Sequence, residues 1–525
     1  MRYLFHHLLT DTASRQPDRT ALVHKQRRLS YAQVAADVRA AAAGLTKIGL
    51  CRHQRVAVYL PKQPETVVSL FATSRAGGIF VPINPVLKAA QVEHIAQDCN
   101  VHLLITNAAR ATQLLPLLSR CADLRVLVLT DATTLKDAPA GLQVLHWDTL
   151  LAADSALPAE IATDNDLAAI LYTSGSTGKP KGVMLSHRNL LCGADSVASY
   201  IGNHADDRIM AALPLSFDAG LSQVTTAMAS GACCYLHDYL LPGDVLKLVR
   251  DQQITGLTAV PPLWHQIAAL DWGDAGQSLR YFANTGGHMP APLLARLRQS
   301  FPAARPYLMY GLTEAFRSTY LDPEEAATRP DSIGKAIPNA EILVLREDGS
   351  ECEPNEVGEL VHRGPLVSQG YWNDPARTAA RFRPIPKALP GLVQQELAVW
   401  SGDSVRKDQD GFLYFVGRQD EMIKTSGYRV SPAEIEEVAY QSGLVGEAVA
   451  LGISHPTLGQ AVLLLVADGG DGEDLGKQLL AACRQALPGF MVPLACEVSS
   501  QPLPRNPNGK FDRKELADRY AGYFN

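Results

Sequence analysis

The sequence predicts an α/β protein. A large N-terminal region of mostly parallel βαβ sheets and a β-rich lobe precedes a small α+β C-terminal domain. Three observations carry this. Up to about residue 310, strand patterns alternate with helical ones, the signature of βαβ units. From about 332 to 418, short strands sit among Gly-, Pro- and Asp-rich turns with few helices. From Gln419 onward the pattern is compact and mixed.

The elements follow in order. Ser30 and Gln33 read as a capping box opening a helix whose apolar positions are Tyr31, Val34, Val38, Ala42 and Leu45. Arg55–Leu60 reads as a buried strand, Thr66–Arg75 as a helix and Ile79–Ile83 as the next strand. Val101–Ile105, Arg125–Leu129, Leu167–Tyr172 and Arg208–Leu213 continue the series. Cys233–Leu236, Leu257–Val260, Leu279–Ala283 and Pro306–Met309 follow. In the β-rich lobe Glu341–Leu345, Gly358–His362 and Phe412–Val416 read as strands. The C-terminal unit offers a helix at Pro432–Gln441, strands at Glu447–Gly452 and Ala461–Ala467, and a helix near Leu475–Leu487. These patterns divide the chain at 1–418 (subdomains about 1–165, 166–331 and 332–418) and 419–525.

Composition narrows the class. The 525 residues carry 48 Lys+Arg against 54 Asp+Glu, a net charge of −6, and lack a Lys/Arg block that nucleic acid or an anionic membrane would need. At 46% hydrophobic and 19% charged residues the chain can bury several cores, and it is not the composition of a disordered protein. The nine cysteines, at 51, 99, 121, 192, 233, 234, 352, 483 and 496, are odd in number and contain no C-x-x-C pair. They read as free thiols of a reducing compartment. With no signal-peptide pattern and no 18-residue apolar run, the cytoplasm is the expected location and no transmembrane segment is expected. The histidines show no metal-ligand spacing.

The chemistry concentrates in Leu171–His187, LYTSGSTGKPKGVMLSH. A strand runs into Thr173, Ser174, Gly175, Ser176, Thr177, Gly178 and Lys179, where glycines admit a ligand to the backbone and hydroxyls and lysine suit a polyphosphate. The spacing is not that of the common P-loop, because Pro180 follows Lys179. This block resembles the signature loop of the adenylate-forming superfamily: acyl-CoA synthetases, peptide-synthetase adenylation domains and beetle luciferases. Four further blocks in the family's order extend the resemblance over essentially the whole chain.

The resemblance implies a two-step reaction. A carboxylic acid and ATP, with Mg²⁺, give an acyl-adenylate and pyrophosphate, and a thiol then displaces AMP. Carried over by position, Thr173, Ser174, Thr177 and Lys179 would hold the β- and γ-phosphates, with Lys181 as support at the loop's exit. In Tyr310–Glu314 (YGLTE), Tyr310 and Gly311 would meet adenine, Thr313 the α-phosphate, and Glu314 Mg²⁺. Alone, Glu314 reads equally as a helix N-terminal carboxylate. Gly286 and Gly287 would wall the purine, and Asp403 and Arg418 would contact ribose and phosphate. Asp420 would be the hinge of a mobile C-terminal lobe, Lys424 would belong to the thioester-forming orientation, and Gly427 would line the thiol tunnel. Lys510 matches the catalytic lysine bridging carboxylate and α-phosphate.

The acid is less legible. In Leu213–Ser222, Phe217 and Asp218 stand where many acyl- and aryl-CoA ligases carry a histidine block. The pattern resembles the element of amino-acid-activating domains whose aspartate pairs with the α-amino group. Asp218 or Ser216 capping the following helix is the other reading. Several phrases (SFDAGLSQ, YGLTEAFRSTYL, DSIGKAIPNAEI) look like the acyl-CoA ligase-like proteins associated with exosortase A systems. The expected function is therefore an AMP-forming acyl-CoA ligase using coenzyme A. The alternatives are a stand-alone amino-acid adenylation enzyme loading a carrier protein's phosphopantetheine, and a non-catalytic nucleotide-binding relative.

Overall fold

The computed structural model describes residues 1–152, 156–157, 159–173, 180–287, 289, 291–385, 391, 393, 395–418, 422–467, 472–504 and 511–524. Three sheets organise them. The first runs Gln143–His146, Val126–Leu129, Val101–Thr106, Arg55–Val58, Ile79–Pro82, Leu167–Thr173, Lys181–Ser186. All neighbours are parallel except the last pair. Its central strands are covered on both faces, so Ile79–Pro82 and Val126–Leu129 are buried at every residue. Ser30 caps the helix Tyr31–Lys47 as expected: its side chain accepts from Gln33 N–H, and the Gln33 side chain accepts from Ser30 N–H at 2.8 Å.

The second sheet has 14 strands. One half is parallel: Thr20–His24, Cys233–Leu236, Arg208–Ala211, Gly256–Ala259, Tyr281–Asn284, Arg305–Tyr310. The other half is antiparallel, running Thr319–Leu321, Ser332–Ala336, Leu413–Arg418, Leu397–Lys407, Val357–Arg363, Glu341–Leu345. The β-rich segment therefore continues the parallel sheet through the pairing of Thr319 with Ala336. A register shift between Ser332 and Gly334 bends this junction. Gly334 has φ +82°, and a Cβ there would lie 1.8 Å from the Tyr320 carbonyl oxygen.

The third sheet, Tyr428–Val430, Ile423–Thr425, Gly459–Ala467, Glu447–His455, with Ala495–Ser499 added in parallel, belongs to the C-terminal domain. Alternate residues of Glu447–His455 face opposite cores. Ala448 and Ala450 meet the helices Pro432–Gln441 and Gly472–Ala486, and Val449 and Leu451 meet Leu503 and Leu516.

Near the chain start, His6 Nε2 and His7 Nε2 each lie 3.2 Å from a Glu160 carboxylate oxygen, and Arg75 Nε lies 3.3 Å away. His7 Nδ1 accepts from the backbone N–H groups of Tyr3 and Leu4, so Nε2 carries the ring hydrogen and donates to Glu160. With that hydrogen and Arg75 in place, the cluster is a latch and not a cation site. No helix among the described residues is long and apolar enough to cross a membrane.

Candidate active site

A cavity of about 1250 Å³ lies where the three sheets meet. Thr173 reaches it from the end of its strand, directly opposite Lys181 in the antiparallel pairing. The chain therefore returns from the phosphate-type loop as a strand, not as the helix of a P-loop. Thr173 Oγ1 is buried with no hydrogen-bond partner among the described residues.

Below the cavity, Glu314 sits in the short 3₁₀ turn Thr313–Ala315. No α-helix follows it, which removes the helix-terminus reading. Its Oε1 accepts from Lys181 Nζ at 2.9 Å and from Tyr371 OH at 2.7 Å, and Lys181 Nζ also lies 2.8 Å from Tyr371 OH. Burial opposes the Glu314 charge, yet Lys181, then Arg429 and Arg381, hold the carboxyl well below its usual range. Burial lowers the Lys181 ammonium, with Glu314 opposing. The carboxylate is ionised and held from one side by a cation and a phenol.

At the other wall Tyr310 ends its strand, and its OH donates to Asp403 Oδ2 at 2.5 Å. Asp403 pairs across the ladder with Arg418. Gly286 and Gly287 follow the strand Tyr281–Asn284, and Asn284 Nδ2 donates to the Gly287 carbonyl at 2.8 Å, fixing the bend. Gly427 of the C-terminal domain closes on this bend. It has φ +81°, and a Cβ there would lie 2.7 Å from Val260 Cγ1, so only glycine fits. Lys424 Nζ lies 4.6 Å from the Phe415 ring centre on the same cavity.

At the third wall, the helix Asp218–Ser230 begins after Phe217 with no side-chain cap. Phe217 holds the N-cap position, so neither Asp218 nor Ser216 is the cap; Asp218 stands in the first turn, where the backbone N–H groups of Ala219 and of Asp218 itself favour its carboxylate. Asp218 Oδ2 lies 3.7 Å from Arg317 Nη1. Burial raises the Asp218 carboxyl and Arg317 opposes. The Phe217 ring meets Tyr428 edge-on at 5.1 Å, and Tyr428 stacks on Phe490 at 3.7 Å. Lys62 is also buried here, donating to the Ala212 carbonyl at 2.7 Å with Asp238 Oδ1 at 3.3 Å.

The profile of AMP-binding enzymes matches residues 9–372, and that of their C-terminal domain matches 434–510. The chain belongs to the AMP-binding enzyme family. Among relatives of this family, the chain is 31% identical to an L-proline–[L-prolyl-carrier protein] ligase of Pseudomonas fluorescens, over 99% of this chain and 100% of the relative. It is also 31% identical to a feruloyl-CoA synthase of an Amycolatopsis species, over 97% of each. Among solved structures it resembles the o-succinylbenzoate CoA synthetase of Bacillus subtilis, with TM-score 0.82 and 25% identity over 98% of each chain. An amide bond synthetase from Marinactinospora thermotolerans shares the fold, with TM-score 0.84 and 23% identity over 98% of this chain and 99% of that one. The protein is an adenylate-forming ligase of the acid–thiol class.

Of the residues singled out in the AMP-binding enzyme's sequence, Thr173, Phe217, Asp218, Gly286, Gly287, Tyr310, Gly311, Thr313, Asp403, Lys424 and Gly427 line one cavity. Glu314 lies buried directly after Thr313. The backbone of Arg418 lies in the strand beside Asp403. Ser174, Gly175, Ser176, Thr177, Gly178, Lys179, Asp420 and Lys510 fall outside the described residues. The sequence reading missed Tyr371, Arg317 and the direct bond of Lys181 to Glu314. Their partners lie far away in the chain, 57 residues for Tyr371 and 133 for Lys181, and no local pattern announces them.

Proposed function

We propose that the protein activates a carboxylic acid with ATP and transfers the acyl group to coenzyme A. The reading rests above all on the convergence of Thr173, Tyr310, Asp403 and the C-terminal Lys424 and Gly427 on one cavity. Residues 1–418 hold ATP and the acid, and 419–525 turn on Asp420 between the two half-reactions. In the first, a carboxylate oxygen forms a bond to the α-phosphorus and the bond to pyrophosphate breaks. Both reactants are anions, so the work of the protein is to offset their charge and align them. Ser174, Thr177 and Lys179 take the outer phosphates, Tyr310 and the Gly286–Gly287 bend take adenine, and Asp403 with Arg418 takes ribose. Thr313 meets the α-phosphate, and Lys510 bridges it to the attacking carboxylate. In the second, Lys424 and Gly427 face the cavity, a thiolate attacks the acyl carbon along the Gly427 wall, and AMP leaves.

The residues fit Mg²⁺. Glu314 is held ionised, its side-chain bonds among the described residues both go to Oε1, and the Thr173 hydroxyl at the cavity wall is unpartnered among them. Glu314 through Oε2 and Thr173 would hold the ion, which when bound with the triphosphate neutralises charge on its oxygens.

Acid-dependent ATP–pyrophosphate exchange over fatty, aryl and amino acids tests the first step. Exchange with no acid would make the protein a nucleotide binder. AMP release with coenzyme A against a holo carrier protein tests the acceptor. Release with the carrier alone would replace coenzyme A in this reading.

A further inference from the structure

The Asp218 carboxylate at the acyl wall has a resident cation, and its placement is built into the backbone. Arg317 is 3% exposed, with Nη1 3.7 Å from Asp218 Oδ2 and donating to Thr285 Oγ1 at 3.1 Å. The preceding residue, Phe316, has φ 54° and ψ −47°, at the centre of a three-residue turn in which Arg317 N–H donates to the Ala315 carbonyl at 2.5 Å. A bulky residue holds this conformation only when its surroundings impose it. Here the surroundings are the interior itself. The Phe316 ring is fully buried against Gly193, where an added Cβ would lie 2.3 Å from the ring. Anchoring that ring forces the next side chain back toward the cavity, which both Arg317 and Asp218 line.

We propose that Arg317 is a specificity-determining residue. It occupies the Asp218 carboxylate, so that the acyl site selects acids without an α-ammonium group. An α-ammonium placed at Asp218 would meet the guanidinium at close range in a site shielded from water, and like charges set together are strongly selected against. Arg317 Nε is buried and has no hydrogen-bond partner among the described residues. The proposal rests on the reading of this cavity as an acid-activating site.

The test uses matched trios sharing one body: 3-phenylpropionate, 3-phenyllactate and phenylalanine, and the corresponding octanoic and propanoic sets. Pyrophosphate exchange gives kcat/KM for each. In the same trios, acyl-sulfamoyl-adenosine analogues of the adenylate are titrated by calorimetry, which reads acyl selectivity without turnover. The amino member of each accepted trio is expected to be disfavoured by roughly a hundredfold or more, the scale of like-charge contact. Arg317→Met keeps the stem and removes the charge, and it should narrow that ratio at least about tenfold, whereas a merely structural role would lower all three members together. Arg317→Gln is the second variant should the first fail to fold. A wild-type preference for the amino member, lost in Asp218→Asn, would overturn the proposal, as would a ratio unmoved in both Arg317 variants. Absence of exchange with every acid, with the analogue ratio intact, would sink the catalytic reading alone.

Discussion

Lys181 Nζ lies 2.9 Å from Glu314 Oε1, with the carboxylate side chain 1% exposed and the lysine 12%. Removing one member of such a pair leaves the other charged and buried. Lys181→Met should therefore destabilise the fold by about 3 kcal/mol in urea titration, the low end for a broken buried pair. Arg381 and Arg429 continue to oppose the stranded charge, which keeps the loss at that end. A loss under about 0.5 kcal/mol, the scale of an ordinary surface substitution, would show that the pair carries no stability.

Gly427 predicts a selective defect. In Gly427→Ala the new methyl meets Val260, and φ +81° disfavours any side chain. Overpacking of this kind costs about 1–3 kcal/mol, so thioester formation from preformed adenylate should slow roughly tenfold or more. Pyrophosphate exchange should hold near wild type. Equal loss in both assays would place Gly427 outside the thiol path.

Lys510 predicts the reverse pattern. Lys510→Ala should slow adenylation roughly 10²- to 10³-fold, the usual scale for one electrostatic stabiliser. Transfer from preformed adenylate should be spared. Stopped-flow measurement of the two half-reactions separates these outcomes, and matching losses would refute the assignment.

Three buried histidines set a pH response. Burial pushes His6 down to about 3, His187 to about 4 and His362 to about 3, from 6.5. Folded pKa values are depressed, so each contribution is complete above pH 6.5 and is lost as pH falls toward 4, where only the unfolded chain takes the proton. Glu434, pushed up to about 8 by burial, acts in the opposite direction, so the informative quantity is a difference. His362→Asn retains a partner for Ser318, and between pH 6 and 4.5 it should flatten the stability slope by about 1.4 kcal/mol per pH unit relative to wild type. Parallel slopes would show that His362 titrates normally in the fold.

Local rules made much of the chain readable. Ser431 and Pro432 mark the start of the helix Pro432–Gln441, and its bounds match the sequence pattern. The parallel strands were visible because burial on both faces leaves unbroken apolar runs. The return strand Lys181–Ser186 was not, since it follows a loop whose composition dominates the local signal. The link between the parallel and β-rich regions was hidden for another reason. It depends on short strands, Thr319–Leu321 above all, whose identity comes from their neighbours. Nothing in the sequence marks Phe316 for positive φ, and so Arg317 escaped notice beside the conspicuous YGLTE block.

Tyr310 and Asp403 sit on strands four places apart in the second sheet, about 19 Å at ordinary strand spacing if the sheet were flat. Their side chains nevertheless share a hydrogen bond. The sheet curls across these strands, with the register shift at Gly334 one of its bends, so the distance between the two side chains is set by backbone curvature. If Tyr310 and Asp403 meet base and sugar as proposed, the size of nucleoside admitted would be set in part by a strand that gives the cavity wall one residue, Ile333. A side chain at position 334 would collide with the Tyr320 backbone and so disturb that distance from beside the cavity wall.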